Sequence, residues 1–158
     1  MMRLLMSVLL GLCLLNNTSQ AAGVLRISLS EMTLGGPDRV GKLMVKNTGD
    51  SPLYLDITQE QVQTPLTDPE VRVPVGDVAA PSLLISPMRL ALGPQQEREI
   101  NVKELRKPAQ RKIWRVTFRP RENISVQGVT TENTLVPLAV SIGYGVVIYQ
   151  LGASVGNK

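Results

Sequence analysis

Beyond residue 22 the apolar positions of this chain recur every second residue, in short runs separated by Gly, Pro, Asn and Asp, and no stretch sustains a helical period. The pattern predicts strands and turns throughout. The first run, Val24 to Leu34, sets Leu25, Ile27 and Leu29 on one face, and Gly35-Gly36-Pro37-Asp38 turns it. Arg39 to Lys46 follows with Leu43 and Val45 on one face, then Asn47-Thr48-Gly49-Asp50, a strong turn signal. Leu53, Leu55 and Ile57 alternate with Tyr54, Asp56 and Thr58, as in a strand with one wet face. Between Val62 and Pro81 four prolines interrupt the pattern, so this part reads as a long surface excursion with room for an edge hairpin. Regular structure resumes from Leu83 to Leu92 and ends at Gly93-Pro94. Glu97 to Glu104 places Ile100 and Val102 inward, and a basic, proline-containing loop runs from Lys103 to Lys112. Ile113 to Arg119 carries Trp114, Val116 and Phe118 on one face and Arg115, Thr117 and Arg119 on the other. The last strand spans about Thr134 to Tyr149. About seven strands at this spacing predict an all-β, immunoglobulin-like β-sandwich in a single domain, without the Cys–Trp–Cys signature of antibody domains.

The start of the chain breaks the pattern. Leu4 to Leu15 is uninterrupted by charge, follows Arg3, and is succeeded by polar Asn16, Asn17 and Thr18 and by Ser19-Gln20-Ala21. A basic tip, an apolar centre and a small-residue cleavage site read as a signal peptide over residues 1–21, and its removal predicts a secreted protein with no membrane insertion. The apolar stretch is shorter than the roughly 20 residues a spanning helix needs. Cys13 follows Leu12, where a lipoprotein site wants a small residue, so lipidation is rejected. The sandwich then occupies residues 22–151, and 152–158 form a short polar tail.

The last strand carries the most information. Leu138, Val140, Ile142, Tyr144, Val146 and Ile148 lie on one face, and Ala139, Ser141, Gly143, Gly145, Val147 and Tyr149 on the other. That run is about twice as long as an ordinary strand of roughly 5–6 residues. A long apolar strand near a terminus is an aggregation hazard unless something covers it, and a partner that accepts it as an added strand is one solution. Packing on both faces inside its own domain is the other, and alternation alone leaves the two open.

Composition narrows the chemistry. The chain has no His, and its one Cys lies in the leader, which removes the usual nucleophile–base pairs and the commonest transition-metal ligands. Asp56, Glu60, Asp68 and Glu70 could supply a carboxylate pair, but they read as solvated strand and loop charges, so no enzyme activity, metal or cofactor is expected. A net charge of +4 with 3% aromatic residues gives neither a basic run nor a stacking platform, so no nucleic-acid partner is expected. A disulfide-free secreted domain must be held by its core alone.

Several stretches together resemble one family. Val45-Lys46-Asn47-Thr48-Gly49, Leu84-Ile85-Ser86-Pro87-Met88-Arg89-Leu90 with Leu92-Gly93-Pro94, Ile113-Trp114-Arg115-Val116-Thr117-Phe118-Arg119-Pro120 and Ile142-Gly143-Tyr144-Gly145-Val146-Val147-Ile148-Tyr149 stand in the order and spacing of the amino-terminal domain of periplasmic chaperones of chaperone–usher pilus assembly. The similarity is to the alternate branch that serves the coli-surface-antigen and colonisation-factor fimbriae. The resemblance implies that the last strand is lent to a fimbrial (pilin) subunit, with Leu138, Val140 and Ile142 entering the subunit's groove and Tyr144 a fourth contact. It implies further an outer-membrane usher as second partner, and the family's second domain is absent from this chain. Many members grip the subunit's terminal carboxylate with a basic pair. Here Glu31 stands near the first of those positions and residues 138–149 hold no Lys or Arg, so the candidate anchors are Arg26, Arg115 and Arg119. Arg106, Lys107, Arg111 and Lys112 face the usher, the subunit or water. Self-association through the last strand is a further expectation. The alternatives are a complete structural or adhesive, pilin-like sandwich module and a truncated chaperone that no longer works.

Overall fold

The computed structural model describes residues 23–35, 39–65, 67–121 and 142–153. The signal-peptide reading, Leu138 and Val140 lie outside them, as do residues 134–141 of the expected last strand. Among the described residues ten strands form two sheets. They are β1 (Leu25–Ile27), β2 (Glu31–Leu34), β3 (Val40–Asn47), β4 (Leu53–Thr64), β5 (Val71–Pro74), β6 (Leu83–Ser86), β7 (Arg89–Leu92), β8 (Glu97–Glu104), β9 (Lys112–Pro120) and β10 (Tyr144–Gln150). The first sheet has the order β1-β3-β8-β6, and the second β2-β10-β9-β4-β5, with β7 also on β4.

Ten strands instead of seven have three causes. The run from Val24 to Leu34 is two strands: β1 pairs with β3 in the first sheet, and β2 runs parallel to β10 in the second. The chain crosses between sheets at Ser28–Ser30. Ser28 finishes the first ladder, its N–H donating to the Met44 carbonyl (3.0 Å) and its hydroxyl accepting from the Met44 N–H (3.0 Å). Leu29, expected inward, is therefore 45% exposed. The run from Leu83 to Leu92 also divides, with β6 on β8 in the first sheet and β7 on β4 in the second. Pro87, which has no N–H to donate, stands at that crossing. The excursion after Val62 contains the edge hairpin, β4 with β5.

The core lies between the inner faces. Leu43, Val45, Ile100 and Val102 of the first sheet meet Leu55, Trp114, Val116, Phe118, Val146 and Ile148 of the second, all at most 2% exposed. The expected alternation of β4, β8 and β9 is the observed one. Burial of this kind contributes about 1.5–3 kcal/mol per large aliphatic side chain.

Three buried amides tie the layers together. Asn47 Oδ1 accepts from Val24 N–H (3.1 Å) and Gly49 N–H (3.0 Å), while its Nδ2 donates to the carbonyls of Ser51, Leu92 and Gly93 at 2.8–3.3 Å. Gln59 reaches from β4 to the edge of β6, donating to the Leu83 carbonyl (2.8 Å) and accepting from the Ile85 N–H (3.1 Å). Gln150, at the end of β10, accepts from Ser82 Oγ (2.7 Å) and Trp114 Nε1 (3.1 Å). Its Nε2 lies within bonding distance of the Ser82 carbonyl, Glu104 Oε1 and the Arg106 carbonyl at 3.0–3.2 Å. Among the described residues no buried side-chain polar atom lacks a partner, as a dry core requires.

Candidate functional site

β10 has two unlike halves. From Val147 to Gln150 it lies between β9 and β2, hydrogen-bonded on both sides. From Tyr144 to Val146 it pairs with β9 alone, and no other described strand lies beside it. The boundary is fixed by the crossing at Ser28–Ser30: β2 begins only at Glu31, which stands opposite Val147. The Ser30 carbonyl accepts from Val147 N–H (2.9 Å) and the Leu34 carbonyl from Leu151 N–H (2.7 Å). At that end Gly35, at φ +125°, lies so close to Leu151 that a Cβ would stand 2.8 Å from the Leu151 Cβ. Since the peptides of a strand alternate in direction, Gly145 turns its N–H and C=O to the same side as Val147, where no described strand lies beside it.

The inward side-chain row follows the same division. Gln150 and Ile148 are 0% exposed and Val146 is 1% exposed, whereas Tyr144 is 42% and Ile142 is 65% exposed. One apolar row thus begins in the core and emerges beyond its rim. Gly143 and Gly145 are the outer-face neighbours of this emergent part, and a Cβ at Gly145 would meet nothing within 4 Å. Of the strand expected from Thr134, the described part begins at Ile142, and there Ile142 and Gly143 precede the ladder, which starts at Tyr144. An apolar row with an open backbone edge has the geometry for strand addition.

The three candidate carboxylate anchors stand apart. Arg26 is on β1, in the first sheet, facing solvent. Arg115, on the outer face of β9, is already held by a carboxylate: its Nε and Nη2 each donate to Glu70 at 3.2 Å. Arg119, four residues on, lies in register with Asp56, and its side chain has no hydrogen bond or ion pair among the described residues. Glu31, opposite Val147, is exposed. Of the carboxylates considered for acid–base chemistry, Asp56 is engaged by Arg89 (3.5 Å) and Arg121, Glu60 by Arg72 (3.9 Å), and Glu70 by Arg72 (2.7 Å) and Arg115. Among the described residues no His, Cys, Asp and Glu cluster could hold a metal ion, and no helix is long and apolar enough to cross a membrane.

These pairings shift the carboxylates' titration. Hydrogen bonds from Arg115 and then Arg72 hold Glu70 below its ordinary pKa, and the bond from Arg121 does the same for Asp56. A depressed folded-state pKa contributes stability that is full above the unfolded value and is lost as pH falls through the folded one. Acid unfolding below about pH 4 is therefore expected to weaken in Glu70→Gln, measured as a shallower slope of stability against pH in that window with the slope above pH 6 unchanged.

No family model matches this sequence, and no curated protein matches it. Solved structures do. A chain of the chaperone–tip adhesin complex of CFA/I fimbriae biogenesis superposes with a TM-score of 0.67 at 18% identity, covering 83% of this chain and 57% of that one. The class 5 fimbriae chaperone CfaA gives 0.65 at 18% identity with the same coverage. The PapD-like domain 7 of human CEP192 gives 0.54 at 8% identity, covering 89% of this chain and 93% of that domain. The chain spans 57% of the length of the fimbrial proteins it matches. The fold expected from the resemblance is thus the observed one: over 83% of its length the chain has the immunoglobulin-like β-sandwich fold of the chaperone–usher fimbrial chaperones.

Proposed function

We propose that this chain is a periplasmic, chaperone-like protein that binds fimbrial subunits by lending them the leading half of its last strand. One observation carries the reading: β10 leaves the core with its apolar row continuing through Tyr144 and Ile142 into solvent while its backbone edge opens at Gly145. By period-two alternation Val140 and Leu138 continue that row in sequence. In a subunit short of one strand, backbone hydrogen bonds to this edge supply affinity common to all partners, and the apolar row filling alternate pockets supplies selectivity. The complex of a chaperone with a tip adhesin, to which the fold is similar, supports a fimbrial subunit as the partner. Subunit release at an outer-membrane usher follows from the family resemblance of the sequence, and export is expected from the leader pattern of residues 1–21.

The test is co-expression of the tagged chain with the fimbrial subunit encoded beside it and recovery from the periplasm. Subunit recovered with wild type and lost with Val140→Arg, Ile142→Arg supports the proposal. A folded wild-type protein that recovers no subunit refutes it. A second reading, a complete interaction module that lends nothing, is favoured by the human PapD-like domain sharing the fold. It predicts that Ile142→Arg changes neither partner recovery nor stability.

A further inference from the structure

The outer face of the second sheet carries two charge clusters of unlike balance. Around Arg115 the signs cancel: Arg72 and Arg115 face Glu60 and Glu70 in a closed network. Toward the Ile142 end they do not. Strand register sets Arg89 of β7 opposite Asp56 of β4, and Asp56 opposite Arg119 of β9. Arg121 joins them, its backbone N–H donating to the Tyr54 carbonyl (2.7 Å) and its guanidinium to Asp56. Three arginines thus share one carboxylate, an excess of two positive charges.

Asp56 orients this group without saturating it. It meets Arg89 through a single contact of 3.5 Å and Arg121 through Nε, so most of the five donors of each guanidinium are not used on this carboxylate. Arg119 makes no side-chain hydrogen bond or ion pair among the described residues and bears on Asp56 through its charge alone. Two adjoining cavities, about 330 Å³ and about 420 Å³, share Asp56, Arg89 and Arg121 as walls. Their other walls are mixed: Tyr54, Leu90 and Ala91 in the first, and Met88, Thr58 and Arg119 in the second, with Leu90 and Met88 also packed against the core. Both are wider than a lone oxyanion needs, and Asp56 at the centre repels a compact dianion. Guanidiniums grip carboxylates bidentately, and those already oriented by a neighbour lose less freedom on binding.

We propose that Arg89, Arg119 and Arg121 form a receiving site for an acidic segment of a partner polypeptide, its carboxylates on the guanidiniums and its apolar side chains over Tyr54, Leu90 and Met88. The site is separate from the open edge of β10 and stands or falls independently of strand lending.

The test is NMR titration of the purified protein with a short capped peptide of alternating Asp and Leu, with its Asn-for-Asp counterpart and inorganic phosphate as comparisons. Binding of the Asp peptide, shifts confined to Tyr54, Arg89–Ala91 and Arg119–Arg121, and about tenfold weakening in Arg89→Gln, Arg119→Gln but not in Arg72→Gln support the proposal. Should the double variant fail to fold, the wild-type shift map decides. Equal weakening by Arg72→Gln, displacement of the peptide by an equal concentration of phosphate, shifts spread over the whole face, or no binding would each overturn it.

Discussion

Replacing Gln150 with leucine is expected to lower unfolding stability by about 3–5 kcal/mol, a large fraction of what a domain of this size possesses. The side chains are similar in volume, so the loss is not one of packing. Gln150 is the only described acceptor for the indole N–H of Trp114, itself 0% exposed, and its amide faces Glu104, which is 4% exposed. Leucine leaves the indole and the Ser82 hydroxyl without an acceptor and the Glu104 carboxylate without its amide donor, and each such buried group costs about 1–3 kcal/mol or more when charged. Gln150 belongs to β10 in the second sheet, whereas Ser82 precedes β6 and Glu104 ends β8 in the first, so the change also loosens the attachment of the last strand to the opposite layer. Urea unfolding followed by the fluorescence of the single tryptophan measures the effect. Ser82→Ala, which removes one donor to the same amide, is expected to cost about 1 kcal/mol and to be non-additive with Gln150→Leu. A loss below about 1 kcal/mol in Gln150→Leu would mean that the network contributes little to holding β10.

Arginine at Ile142 is expected to reverse the pattern, sparing stability and abolishing capture. Ile142 is 65% exposed, so the folded chain loses almost no buried area with it, and the stability change stays within about 0.5 kcal/mol. A subunit groove that buries the isoleucine gains about 1.5–3 kcal/mol from it, and arginine must also be desolvated there, so affinity falls by at least about tenfold. With Val140→Arg added, two such pockets are lost and recovery of the subunit should drop below detection. Val146→Arg makes the comparison sharp. It lies on the same row of the same strand but is 1% exposed, so it is expected to unfold the domain instead of separating capture from stability. A row in which Ile142→Arg and Val146→Arg behaved alike would not be a row that leaves the core midway.

Much of this architecture is legible in the alternation itself. Leu53, Leu55 and Ile57, Ile100 and Val102, and Trp114, Val116 and Phe118 are inward where period two places them, because each belongs to a strand with one face on the core. The sheet crossings are not legible. At Ser28–Ser30 and at Pro87–Met88 the chain changes partner while both flanking segments still alternate, so a two-residue period carries no mark of which sheet owns it. The buried amides escaped for a related reason. Gln59 follows Leu55 and Ile57 in phase, and Gln150 follows Val146 and Ile148, but a reading that counts apolar positions stops at the first polar one. The signal was the phase, not the residue type. The apolar row of the last strand was visible in sequence, but its emergence at Tyr144 depends on β2 starting at Glu31, more than a hundred residues earlier in the chain. The arginine row is set by the registers of β7, β4 and β9, three segments far apart in sequence, so only the fold assembles it.

If the leading half of β10 is an edge that a subunit completes, its backbone amides must change partners on binding. Hydrogen exchange on the isolated protein and on its complex with the subunit tests it at the backbone. The Gly145 amide, directed away from β9, is expected to exchange freely in the isolated protein and to become protected by about a hundredfold or more in the complex, while Val147, already bonded to Ser30, changes little. An amide at Gly145 that stays unprotected in a complex of proven stoichiometry would contradict strand lending and leave the chain as a sandwich that binds by another face.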